Sequence, residues 1–197
     1  MRTLALLACL AAADAQTREA PRVSSVLTVC QVLADPLTYD GHTITLRGPV
    51  QGTDEGTWLV GDYCPGVIVT EGHVWPTVVA LVAPPLPPSL HLHSVDFDYD
   101  RESERKMAAK YVQLQKSGIP KECIYETFTG LFETRRDWSA AKLVYADGTS
   151  KFAGFGHLGQ APGQLILRSV DDVVAESGCS KAVQPKPRGN AENQGKP

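Results

Sequence analysis

The sequence predicts a mainly β protein: a small OB-fold-like barrel with a short N-terminal helix and one helix between strands. Three observations carry that expectation. Residues 42–50 alternate polar and apolar side chains. The β-prone runs come as three strands, then a helical stretch, then closing strands, which is the order of an OB-fold barrel. Two long runs hold a glycine in mid-strand, Gly48 and Gly130, as the bent strands of a small coiled barrel require. A plain antiparallel sandwich is the alternative reading of the same runs.

The elements follow in chain order. Ser25 is a fair N-cap, and Val26, Val29, Cys30 and Leu33 share a face at helical spacing, so a short helix opens the domain. Pro36 ends it, and Tyr39-Asp40-Gly41 turns the chain. In the next run Ile44, Leu46 and Val50 face one way and Thr43, Thr45 and Arg47 the other, a half-buried strand. Gln51 to Gly56 is a turn, followed by short strands at Thr57–Val60, Val67–Thr70 and Thr77–Val82. Pro84, Pro85, Pro87 and Pro88 forbid regular pairing, so 83–89 is a stiff connector. Asp100 caps a helix over 101–117 that carries Met107, Tyr111 and Leu114 on one side. Cys123 to Glu133 is a long strand, Ala141–Tyr145 and Lys151-Phe152 form a hairpin, and Gln164–Ser169 closes the fold with Leu165 and Leu167 on one face.

The 197 residues suit a single domain with its own core. Residues 1–15 read as a secretory signal: Arg2, then an apolar stretch from Leu4 to Ala13, then Ala13-Asp14-Ala15 as a cleavage pattern. A buried N-terminal helix is the plainer alternative, but Thr17 to Pro21 breaks any amphipathic continuation. Leu6-Leu7-Ala8-Cys9 loosely resembles a lipobox, so a lipoprotein anchored through Cys9 is the rival to a periplasmic or secreted protein. Residues 181–197 hold one valine among Pro, Gly and charged groups, the composition of a disordered tail. Lys181, Lys186, Arg188 and Lys196 against Glu192 leave that tail at +3. The whole chain is at -3 and residues 1–15 are neutral, so the body 16–180 carries -6. Such a body repels phosphate, which argues against a nucleic-acid partner. No apolar run approaches the roughly 18 residues of a membrane helix.

Cleavage leaves Cys30, Cys64, Cys123 and Cys179, enough for two bridges in an oxidising compartment; buried free thiols are the alternative. We expect Cys30–Cys64 and Cys123–Cys179. A hairpin turning near 54–55 sets Cys64 opposite about Thr45, at the end of the barrel that the Cys30 helix feeds. Cys123 opens a late strand and Cys179 follows the last one, so antiparallel pairing of those strands brings the two to a common edge.

Val29-Cys30-Gln31-Val32-Leu33, Tyr39-Asp40-Gly41, the Gly48 strand, Gly154-Phe155-Gly156-His157-Leu158-Gly159 and Leu165 to Val173 together resemble a set of exported bacterial proteins of unassigned function with an OB-like β-barrel core. The resemblance spans about residues 27–175 and implies that barrel. It implies no catalytic residues.

Several motifs invite chemistry. Gly154-x-Gly156-x-x-Gly159 matches the dinucleotide-binding pattern, but Asp147 to Lys151 precedes it and Ala161-Pro162-Gly163 follows, where a parallel strand and a helix are required. The glycines are expected to bend the chain tightly into the last strand. Asp96, Asp98 and Asp100 open like a calcium loop, yet Arg101 and Met107 stand where Gly and Glu belong. His91 and His93 would share a strand face, but two imidazoles alone rarely hold a metal, so we expect neither metal nor cofactor. No nucleophile motif is present, so no catalytic residue is assigned. An OB-type barrel binds through its second and third strands and the flanking loops, which puts Trp58, Tyr63 and Trp75 forward as ligand-binding residues. Aromatic faces stack on sugars, so the expected function is an exported, non-catalytic binding or accessory module for a saccharide or a protein partner. The alternative is a small secreted hydrolase whose spatially assembled site includes His157.

Overall fold

The structure is a computed structural model that describes residues 25–176 apart from 55, 63, 67, 88–90, 137–141, 145, 157 and 158. The segment 1–15 with Cys9, the tail 181–197, Tyr63, His157 and Cys179 therefore lie outside the described residues.

One long strand with two antiparallel partners organises the fold. Strand β1 (Val26–Thr28) runs parallel to β2 (Thr43–Thr53), which pairs antiparallel with two different partners. Residues 43–49 of β2 pair with β7 (Ile124–Thr134), and residues 50–53 pair with β3 (Gly56–Val60). Strand β3 pairs with β6 (Val78–Val82), β6 runs parallel to β10 (Gly163–Ala175), and β10 pairs antiparallel with β7. The strands thus form a ring, in the order β2-β3-β6-β10-β7 and back to β2. The mainly β expectation holds.

The two mid-strand glycines do what their positions suggested. A Cβ on Gly130 would sit 2.2 Å from the Ile166 carbonyl oxygen, and one on Gly48 would sit 3.0 Å from that of Val60. The interior fills with the inward residues of each strand. Ile44, Leu46, Leu59, Val79, Phe132 and Leu165 are all at most 1% exposed. Leu27 of β1 and Val29, Val32 and Leu33 of helix α1 (Val29–Ala34) belong to that same core.

Two local expectations are corrected. Helix α1 begins after Thr28, not Ser25. Thr28 and Gln31 form a capping box: the Gln31 N–H donates to Thr28 Oγ1 and the Thr28 N–H to Gln31 Oε1. Val26, counted on the helix face, is instead a strand residue, 55% exposed. Pro36 does not merely stop α1; it opens a second short helix, α2 (Pro36–Tyr39), where a missing N–H has no consequence.

The β2–β3 turn lies within the expected Gln51–Gly56 stretch but is shorter: Gln51, Gly52 and Thr53 still pair with Trp58, Thr57 and Gly56. The first predicted bridge forms: Cys30 and Cys64 are disulfide-bonded with Cα atoms 5.0 Å apart, tying α1 to the chain that leaves β3. Cys123 is also disulfide-bonded, while its expected partner Cys179 lies outside the described residues. The run at 67–70 contributes less than expected. Among its described residues, Val69–Thr70 form a strand (β4), paired with β5 (His73–Val74) in a separate hairpin rather than in the ring. The predicted 141–152 hairpin is present as β8 (Lys142–Val144) and β9 (Ser150–Phe152).

Helix α3 (Arg101–Lys116) lies over the ring, capped as expected by Asp100, whose Oδ1 accepts the N–H groups of Glu102 and Ser103. Its position follows from the open edge of β10. The pairing of β10 with β6 ends at Ile166, so beyond that residue the edge away from β7 has no strand partner. The Arg168 carbonyl then accepts the Asp100 N–H at 2.8 Å, and the Val170 N–H donates to Ser103 Oγ at 3.0 Å. The first turn of α3 is thereby bolted to the sheet, but no residue of the helix is fully buried.

Candidate functional site

The face of β3 and β6, where ligand contacts were expected, is already covered. Trp58 pairs across the ladder with Ala80 and is half-buried against Phe155 and Ala161. A Cβ on Gly156 would touch Ala80 Cβ at 3.2 Å and Trp58 Nε1 at 3.4 Å, so the glycine-run segment lies directly on this face. That segment is a tight loop stitched by backbone bonds. Gly154 N–H donates to the Gly159 carbonyl, and Phe155 and Ala161 exchange N–H to carbonyl bonds in both directions. Gly156 and Gly159 hold positive φ, +78° and +61°, where a side chain would be strained. The glycines bend the chain toward β10, as expected from their context.

Trp75 is a correction. It is 1% exposed, donates Nε1–H to Thr70 Oγ1 at 3.0 Å, and meets His73 edge to face. Its ring closes against Gly154, where a Cβ would lie 2.6 Å from Trp75 Cζ3. A ring so enclosed offers no face for a saccharide to stack on. Trp58 is left as the one member of the predicted trio that is both described and partly accessible, since Tyr63 is not described.

The histidines and acidic run of the proline-rich insert have structural partners. Glu133 is fully buried; its Oε1 accepts the N–H groups of Leu92 and His93 at 2.8 and 2.7 Å, and its Oε2 accepts Gln164 Nε2–H at 2.8 Å. His93 Nε2 lies 3.1 Å from Asp40 Oδ1, which also accepts the Thr134 N–H. His91 Nδ1 bonds the His93 carbonyl. These contacts dock the insert on the end of β7. Asp96 and Asp98 are exposed, and Asp100 is occupied in capping α3.

The site that the structure does open lies elsewhere, between α3 and the ring. It is a cleft of about 560 Å³, within the range that holds small-molecule ligands. The walls are apolar: Val50 and Leu81 from the strands below, Phe128, Leu167 and Val170 from β7 and β10, and Met107 and Ala108 from α3. Five polar side chains line it, Thr57, Tyr99, Glu104, Tyr111 and Glu126. Glu126 stands between Ile124 and Phe128 on the inward side of β7, and both of those neighbours are buried. Burial in that apolar wall pushes its carboxyl up to about 7. The Tyr111 hydroxyl is raised by burial and then by the Glu126 charge, which places the two groups together. Tyr99 is pushed up to about 12, first by burial and next by the adjoining Glu104 carboxylate.

Sequence reasoning passed over this cleft, although one signal was present. A glutamate at an inward position of a strand, two residues from an apolar neighbour on either side, contradicts the period-2 pattern and marks a place where charge is held in apolar surroundings. No protein-family model matches the chain, and no curated protein matches it.

Proposed function

We propose that the chain is an exported, non-catalytic binding module on an OB-type barrel, and that it takes a small ligand in the cleft between α3 and the strand ring. The ring order, with its parallel β6–β10 pair and a helix before β7, supports the OB assignment. The Cys30–Cys64 disulfide supports an oxidising compartment, and with it export. The single observation that carries the binding reading is the cleft itself: a mostly apolar wall with five polar side chains. Of the aromatic residues expected to stack on a saccharide, Trp75 is enclosed and Trp58 lies beneath the glycine loop, which favours the cleft over that face.

Ala108 is exposed on α3 and lines the cleft, so Ala108→Trp fills the site without disturbing the core. Native mass spectrometry of the protein isolated from its own envelope fraction should reveal a bound small molecule that the Ala108→Trp protein lacks. A ligand retained by a folded Ala108→Trp protein would place binding elsewhere.

A further inference from the structure

We propose that the ligand of this cleft is an organic cation: an amine or guanidine with an apolar body, its charge seated on Glu126. The inference rests on the reading of the cleft as the binding site and adds the chemistry of its occupant.

Charge complementarity is the first support. Two carboxylates, Glu104 and Glu126, line the cleft, and among the described residues no Lys or Arg lines it. Lys110, on the same helix, is engaged with Asp172 at 2.7 Å. The second support is the state of Glu126. It has no hydrogen-bond or ion-pair partner among the described residues, in contrast to Glu133, whose two oxygens accept three N–H bonds. Across the ladders Glu126 faces Gly48 on β2 and Val173 on β10, neither of which carries charge. From α3 the titratable groups of the cleft are Tyr111 and Glu104, and from the chain before it Tyr99. None of these supplies a positive charge. A carboxylate held in an apolar wall without a counter-ion is costly unless a partner arrives, and a cation is the partner that relieves it. The third support is aromatic. Tyr99 and Tyr111 both line the same space; the Arg101 guanidinium already stands 6.0 Å from the Tyr99 ring centre, which leaves Tyr111, beside Glu126, as the aromatic partner for an ammonium or guanidinium group. The apolar wall of Val50, Leu81 and Leu167 then accepts the ligand's hydrocarbon part.

Calorimetric titration with three probes of one shape tests this: phenethylammonium, neutral 2-phenylethanol and anionic phenylacetate, at a pH of about 8.5 where Glu126 is ionised. The expected result is an order of phenethylammonium, then 2-phenylethanol, then phenylacetate, with the cation favoured over the alcohol by about tenfold. Glu126→Gln should reduce that preference to about twofold or less. Thermal melting of the variant confirms that it is folded. Equal binding of the three probes, or preference for phenylacetate, would overturn the cation assignment and leave the cleft as a binding site. Failure of all three to bind would overturn the cleft reading, and the cation assignment with it.

Discussion

Replacing Glu126 with Gln should stabilise the free protein, by an amount that grows with pH. In the unfolded chain this carboxyl ionises near its ordinary value of 4.5, whereas in the folded protein burial holds the proton until about 7. Between those values the folded state binds more protons than the unfolded state, so the wild-type contribution to stability falls as pH rises through that window. Below 4.5 the group is neutral in both states and carries no penalty. Above 7 it is ionised in both, and the folded state bears the whole cost of a charge in an apolar wall. A displacement from 4.5 to about 7 corresponds to at most roughly 3 kcal/mol. Glu126 is only half-buried, and water reaching the cleft screens part of that, so about 1–3 kcal/mol is expected. Gln has nearly the same shape and never ionises. Urea unfolding of wild type and Glu126→Gln near pH 4.5 and at about pH 8.5 measures the difference, read from the midpoints at constant m. The variant should gain well under about 1 kcal/mol at the lower pH and about 1–3 kcal/mol at the higher. An equal gain at both, or a loss at the higher pH, would refute the reasoning, because either result requires a carboxyl that ionises at its ordinary value or one that makes a favourable contact when charged.

Four further outcomes follow from the packing. Replacing Cys30 and Cys64 with Ser opens a loop whose ends are 34 residues apart and should lower stability by about 3–4 kcal/mol in the loop-entropy view, checked by chemical denaturation under non-reducing conditions. Gly130→Ala drives a methyl into the Ile166 carbonyl and should cost more than about 3 kcal/mol, whereas Gly66→Ala, where a Cβ meets nothing within 4 Å, should change the melting temperature little. Ser103→Ala removes the acceptor for the Val170 N–H and should cost about 1–2 kcal/mol, with hydrogen exchange accelerating at the start of α3 before the rest of the ring. Glu133→Ala leaves the Leu92 and His93 N–H groups without their acceptor and should cost roughly 2–4 kcal/mol, with proteolytic cleavage appearing first near residues 91–95.

Much of the ring was legible in the chain, for a physical reason that varies with each element. The alternation of residues 43–47 could be read because each side chain answers to one local environment, inward or outward. The turn at residues 54–55 and the Asp100 cap are likewise settled by a few adjacent residues. The Cys30–Cys64 bridge was anticipated, but not by the register that suggested it: the β2–β3 ladder ends at Val50–Leu59, and Thr45 faces Thr129 rather than Cys64. The start of α1 was misplaced because Ser25 and Thr28 are both competent caps. The Gln31 side chain, which returns to Thr28, decides between them.

The binding site lay beyond that kind of reading. Trp75 and Trp58 are aromatic residues near the expected face, and nothing in their neighbours says that a loop some hundred residues later covers one while Thr70 and Gly154 enclose the other. The cleft arises from strand pairing. Strand β10 has no β6 partner past Ile166, its Arg168 carbonyl and Val170 N–H hold α3 above the ring, and the gap beneath that helix becomes the cavity. By itself the sequence determined strands, turns and caps, since each depends on side chains within a few residues or one hairpin. Which aromatic is covered, where a buried carboxylate finds room, and which face stays open were decided only by the tertiary structure, because burial is a property of contacts between segments far apart in the chain.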